Sequence, residues 1–302
     1  MGEIVAHAEA HGVDRELRSA TDALLPGTAA QGHVTLTASG GTEGRGIVAA
    51  LVATEQWRYR ESSTDGQGST RSRTVTRTEE HRRLPVQLSG PITLGAGERR
   101  ELGFEVPVPP LGPATLEADV SRLTWDLELK LDREGAFDSA IVVPVRVLQP
   151  TALLRAGVVH VGEFALYEAA DSASGEARAR LEMKPMPICI GAPMEGTLNV
   201  ETEREMDLQE IRLELRVKVR ATVSSGEEEE RTIWAGQLVG PGRFGGAART
   251  IPFRVDVPPL YLPTIELPHG RTDATCHVIL ARAMALDTHL IRDVTICSTM
   301  EI

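Results

Sequence analysis

The most suggestive chemistry in this sequence lies in Thr70-Arg-Ser-Arg-Thr-Val-Thr-Arg-Thr78. Arg71, Arg73, Val75 and Arg77 alternate with Thr70, Ser72, Thr74, Thr76 and Thr78, and Arg82 and Arg83 extend the basic character. A guanidinium is a planar fork of donors that can grip a carboxylate or phosphate through two hydrogen bonds at once. Period-two spacing puts alternate residues on one face of a strand, and neither face here is apolar. The segment therefore reads as an edge strand or a projecting hairpin. Arginines along an edge also discourage edge-to-edge aggregation, and this solubility reading stands beside a functional one. In the functional reading, Arg71, Arg73, Arg77, Arg82 and Arg83 hold acidic groups of a protein partner, or a partner segment adds as a further strand.

Other constellations read more plainly. Cys276-His277, with His269, Asp287 and His289 nearby, suggests a metal cluster, but adjacent strand residues point to opposite faces. Cys276 then reads as a small buried hydrophobe, as does Cys189 between Ile188 and Ile190. Cys297 falls where a strand ends, which leaves it open to solvent and to thiol chemistry. The three cysteines form no C-x-x-C pair, and their odd count suits a reducing compartment rather than a disulfide framework. Gly40-Gly-Thr-Glu-Gly-Arg-Gly46 would need a following helix and a Lys-Ser or Lys-Thr pair to cradle phosphate. A strand pattern follows instead, so it reads as a hairpin turn. Glu227 to Glu230 reads as a solvated hairpin loop, with a docking surface for a basic partner as the alternative. Neither Gly-x-Ser-x-Gly nor His-Glu-x-x-His occurs, and the eight histidines are scattered. No catalytic set, metal ligand set or cofactor is expected.

The elements that must position these groups are strands. Ile211, Leu213, Leu215, Val217 and Val219 alternate with Arg212, Glu214, Arg216, Lys218 and Arg220. Residues two apart on a helix lie roughly 200° apart and share no face, whereas on a strand they share one. Leu123, Trp125, Leu127, Leu129 and Leu131 repeat the pattern against Thr124, Asp126, Glu128, Lys130 and Asp132. One wet and one buried face is the habit of antiparallel sheets. Further strands are expected over 13–18, 33–38, 47–54, 71–78, 100–106, 141–148, 180–183, 197–201, 232–239, 250–257, 275–280 and 291–297. Short helices are expected over 151–156 and 163–170. The net charge of −11 argues against a general nucleic-acid binder, which needs excess Lys and Arg. No run approaches the roughly 18 to 20 apolar residues of a spanning helix, and the N-terminus lacks a signal pattern. A cytoplasmic protein with no integral membrane segment is expected.

The sequence also repeats. Phe104-Glu-Val-Pro-Val-Pro-Pro-Leu111 matches Phe253-Arg-Val-Asp-Val-Pro-Pro-Leu260, 149 residues on. Upstream, Gly32 and Ile47 match Gly196 and Ile211, 164 residues on, so the first half carries an insertion of 15 residues within the polar stretch 61–83. A period this long exceeds the roughly 20 to 50 residues of solenoid repeats and signals a duplicated domain. Two domains are expected, 1–150 and 151–302, joined near Pro150, each a sandwich of about seven strands.

The order of these pieces resembles the arrestin-like fold, and most closely the bacterial sporulation-control proteins that share it. The resemblance rests on Gly12-Val-Asp-Arg-Glu-Leu17 as a first strand and on Leu25-Pro-Gly-Thr-Ala-Ala-Gln-Gly32-His-Val34, which is similar to an arrestin-type Pro-Gly-x-x-x-x-Gly-x-Val. It rests too on 47–53, 104–110, 125–131 and 141–150. It covers the first 150 residues, weakens over 151–193 and returns from Gly196. It implies an all-β protein of two tandem antiparallel β-sandwiches, immunoglobulin-like and in an arrestin-like arrangement. It further implies scaffolding through protein contacts, regulatory in sporulation or cell-envelope control in some members, and no enzyme activity. Val143-Pro144 departs from the pattern and implies an edge or bulge there. The arrestin phosphate-sensing elements and receptor-activated tail have no counterpart. The expected function is a non-catalytic cytosolic scaffold or adaptor that binds protein partners. The alternatives are a small-ligand or metal-dependent enzyme with a site at the domain junction around Cys276, His277 or His289, and a peripheral membrane-trafficking adaptor.

Overall fold

Alternating apolar and polar side chains become strands wherever the alternation is sustained, and in the computed structural model the chain is all-β, with no helix among the described residues. The structure describes residues 3–10, 12–64, 66, 68–133, 139–150, 177–184, 187–245, 247–282 and 286–298. The helices expected over 151–156 and 163–170 lie outside them.

The first half forms β1 (Ile4–Ala10), β2 (Val13–Ser19), β3 (Ala23–Leu24), β4 (Ala29–Ala38), β5 (Thr42–Gly44) and β6 (Gly46–Thr64). It continues with β7 (Thr70–Ser89), β8 (Ile92–Leu94), β9 (Arg99–Pro107), β10 (Leu116–Glu117), β11 (Ser121–Asp132) and β12 (Ser139–Val147). One sheet runs β1-β2-β4-β9 and a second β3-β12-β11-β6-β7, with β10 on β11 and a small β5-β8 pair beside them. The buried faces meet in a core with sandwich character. Leu123, Trp125, Leu127, Leu129 and Leu131 of β11 are nearly inaccessible, and Trp125 Nε1 donates to the Pro113 carbonyl at 3.0 Å, so the indole is buried without an orphaned donor. Pro144 pairs with β11, while β3 reaches only Arg146 and Val147. Its missing N–H therefore faces an open stretch of edge, the place a strand proline tolerates.

The second half forms β13 (Ala177–Lys184), β14 (Ile188–Cys189), β15 (Pro193–Thr202), β16 (Met206–Ala221), β17 (Glu228–Val239) and β18 (Gly242–Phe244). Then come β19 (Arg249–Asp256), β20 (Ile265–Glu266), β21 (Gly270–Arg282), β22 (Thr288–Val294) and β23 (Ile296–Cys297). The sheets are β13-β15-β19 and β17-β16-β21-β20, the latter carrying β18 and β22, with β14-β23 as a short parallel pair. Ile211, Leu213, Leu215, Val217 and Val219 are all 0% exposed, the apolar face that the alternation requires. The strand expected over 291–297 is two strands. The chain breaks at Thr295, and Ile296 N bonds the Thr264 hydroxyl rather than continuing the ladder.

Small irregular contacts recur in both halves. Thr115 N donates to Val147 O and Val147 N to Thr115 Oγ1; Thr264 and Ile296 make the same reciprocal pair. Gly27 N bonds Val108 O as Gly191 N bonds Val257 O, both glycines at positive φ. Compact grouping of the chain gives two units, one of 1–57, 76–116 and 122–148, the other of 58–75, 117–121 and 149–302. The far part of the β6–β7 hairpin, 58–75, is thus grouped with the second unit.

Candidate functional site

β7 is 20 residues long, exposed along most of its length, and ends the strand order of its sheet. Among the described residues its outer edge has no strand partner, as anticipated for an edge strand over 70–78, and it runs on to Ser89. The hairpin is closed by Thr64 and Thr70, whose hydroxyls lie 3.1 Å apart. Arg71, Arg73 and Arg77 share one face of the strand by alternation. The arginines differ in how much charge they leave for a partner. Arg73 is held by Glu61, with Nη2 2.6 Å from Oε2. Arg83 bonds both Glu80 oxygens and reaches Glu128 Oε2 at 2.6 Å, across a groove floored by Val48 and Ala50. These carboxylates raise the Arg83 pKa by accepting its hydrogen bonds, Glu80 first and Glu128 second. Arg82 Nη1 donates to the Leu111 carbonyl at 3.3 Å. Arg71 is exposed and makes no ion pair among the described residues. Sequence periodicity located the strand correctly, but neutralisation of Arg73 and Arg83 by acids of the same chain is a tertiary effect without a local signal.

The acidic run 227–230 is likewise engaged within the second unit. Glu227 accepts from Thr74 Oγ1 at 2.8 Å and pairs with Arg60 at 3.4 Å. Glu228 pairs with Lys218, Glu229 with Arg231, and Glu230 with Arg216. Backbone bonds from Arg60 N to Ser225 O and from Glu227 N to Arg58 O fix the 225–227 turn beside β6. The outer face of β16 is an ion-pair lattice: Arg212 and Arg216 flank Glu214, and Arg220 pairs with Asp273. This face is less wet than its charges suggest, since Glu214 is only 9% exposed.

Cys276 and His277 divide as adjacent strand residues must. Cys276 is 0% exposed in the core, where burial pushes its thiol up to about 12. His277 lies on the opposite face with Nε2 3.0 Å from Thr275 Oγ1. Among the described residues, no group of three or more His, Cys, Asp or Glu is placed to hold a metal ion. Cys297 corrects an expectation: it is not at an exposed strand end but 0% exposed, with its sulfur 2.9 Å from that of Cys189. The reason is pairing, since β23 lies parallel to β14 and puts the two residues side by side.

Fold and site together define an all-β chain with β-sandwich character, a long open edge strand, and no helix long and apolar enough to cross a membrane among the described residues. Compared with protein-family models and with curated proteins, the chain matches none.

Proposed function

We propose that this protein is a non-catalytic cytoplasmic adaptor that takes a segment of a protein partner onto the outer edge of β7. The open edge carries the reading: a strand of 20 residues whose outer N–H and C=O groups have no strand partner among the described residues. Backbone hydrogen bonds along such an edge supply affinity, and side chains on alternate positions supply selectivity. Arg71 offers a guanidinium with no ion pair among the described residues, flanked on the same face by Arg73 and Arg77, and an acidic partner strand complements them. Arg82 and Arg83, bonded to Leu111 and to Glu80 and Glu128, serve this reading as props for the base of the hairpin.

The wider architecture is proposed as two tandem immunoglobulin-like sandwiches, 1–150 and 151–302, in the arrestin-like arrangement that the sequence resembles, with a regulatory role in sporulation or envelope control. Recurrence of the Thr115–Val147 contacts as Thr264–Ile296 supports a duplicated unit. The test is a pull-down from native lysate with the wild type and with Arg71→Ala/Arg73→Ala/Arg77→Ala. The variant is expected to lose at least one partner. Identical partner sets would remove these arginines from the site, and hydrogen exchange on β7 that partners leave unchanged would remove the edge.

A further inference from the structure

Cys189 and Cys297 are 108 residues apart in sequence, and their sulfurs are 2.9 Å apart in space. They are direct neighbours across the parallel pair β14–β23, at 2% and 0% exposure, with Ala192 packed against them. Paired strands run about 4.7–4.9 Å apart, inside the roughly 4.4–6.8 Å between Cα atoms that a disulfide bridges. Unbonded carbon atoms rest at about 3.5–4.0 Å, so the two sulfurs are already inside ordinary contact distance. No change of strand register is needed to join them.

The first half of the chain supplies an internal comparison. Thr28 N bonds Leu25 O at 3.2 Å just as Ala192 N bonds Cys189 O at 3.2 Å, which makes Leu25 the counterpart of Cys189. Leu148 follows Val147 as Cys297 follows Ile296, and Val147 and Ile296 make the same reciprocal bonds with Thr115 and Thr264. The same local scaffold is therefore built with leucine at both places. Packing alone does not call for sulfur, yet both positions are cysteine in the second half. Two cysteines, unlike two leucines, have the capacity to bond to each other.

We propose that Cys189 and Cys297 form a reversible disulfide that fastens β23 to β14, made by exchange with a low-molecular-weight disulfide. Cys189 is the attacking sulfur. Its hydrogen bond with Cys297 lowers its pKa against the raising effect of burial, and the thiolate is the nucleophile. Its thiolate forms a bond to one sulfur of the small disulfide, whose other sulfur departs as a thiolate. Cys297, deprotonated, then displaces the second small thiol and closes the protein bond. Two protein thiols are oxidised, one small disulfide is reduced to two thiols, and the two protons go to those thiols. Access comes by local opening of β23, two residues held by a few backbone bonds such as Ile190 N to Cys297 O and Ser298 N to Gln149 O. Cys276, buried separately with its thiol pushed up to about 12, stays outside the reaction.

The test uses the full chain and oxidised glutathione, both added to folded protein and present during refolding from denaturant. Thiols are then alkylated after unfolding and mapped by mass spectrometry. The expected result is a fall from three alkylated cysteines to Cys276 alone, with the Cys189 and Cys297 peptides joined. Dithiothreitol restores all three, and the oxidised form has the higher denaturation midpoint. The Cys189→Leu/Cys297→Leu variant, which installs the side chains of the first half, folds and shows no midpoint response to oxidised glutathione. Three alkylated thiols after oxidative refolding would overturn the proposal. So would glutathione adducts in place of the joined peptides, or bonds that involve Cys276 equally.

Discussion

The ring of Phe104 closes over Gly32 on the neighbouring strand, so that a Cβ added at Gly32 would stand 2.6 Å from Phe104 Cζ and 2.0 Å from the Arg18 carbonyl oxygen. Phe253 covers Gly196 in the same way, with an added Cβ 2.5 Å from its ring and 2.2 Å from the Glu182 carbonyl oxygen. An aromatic ring laid across a strand glycine replaces the packing that the glycine lacks. Gly32→Ala is expected to cost about 1–3 kcal/mol through overpacking, read as a lower urea midpoint. Adding Phe104→Ala frees the ring space but not the carbonyl clash, so the double variant recovers only part of the loss expected from adding the two. A neutral Gly32→Ala would contradict the close approach.

Glu214 is expected to govern the acid limb of stability. Burial acts to raise its pKa, but hydrogen bonds from Arg216 and Arg212 outweigh burial and leave it below the ordinary carboxylate range. The folded state thus holds the charged form more tightly than the unfolded state does. Its contribution is complete above the unfolded value, about pH 4.3, and disappears as pH falls through the lower folded value. Glu214→Gln should lower stability at pH 7 by about 1.5–3 kcal/mol, the worth of hydrogen bonds to a charged group, and flatten the acid limb. Parallel pH profiles for variant and wild type would exclude this role.

His277 works in the same direction at higher pH. Burial first, and Arg216 next, lower its pKa, with Glu230 and Glu214 opposing and His289 adding to the lowering. The folded protein prefers the neutral ring, so stability is full above the unfolded value, about pH 6.5. It declines as pH drops towards the folded value, because the unfolded chain takes up the proton first. His277→Gln should show a smaller fall in melting temperature between pH 7 and pH 5 than the wild type. An equal fall would assign the dependence to other groups.

The arginine face of β7 should matter little to folding. The Arg73 side chain is 76% exposed beside Glu61, and exposed pairs of this kind contribute about 0–1 kcal/mol. Arg71→Ala/Arg73→Ala/Arg77→Ala is therefore expected to keep its denaturation free energy within about 1 kcal/mol of the wild type. A larger loss would make these residues part of the scaffold.

Some of this molecule is legible along the chain. The alternation at 211–220 and 123–132 predicts β16 and β11 with the correct buried faces, because burial of alternate side chains is a property of one strand. β1 escapes that reading. Its Ala6, Ala8 and Ala10 carry little strand preference, and its residues are ordered by pairing with β2. The two- and three-residue strands are too short to show any period.

Period alone thus determined the long alternating strands, such as β11 and β16, and which side of each avoids water. The tertiary structure decided the rest: that Cys297 lies against Cys189, that Arg73 and Arg83 meet acids of their own chain, and that Glu214 is shut between two guanidiniums. The physical reason is range. A strand's two faces follow from neighbouring residues, whereas the groups that meet across a sheet are chosen by the order and register of strands distant in the chain.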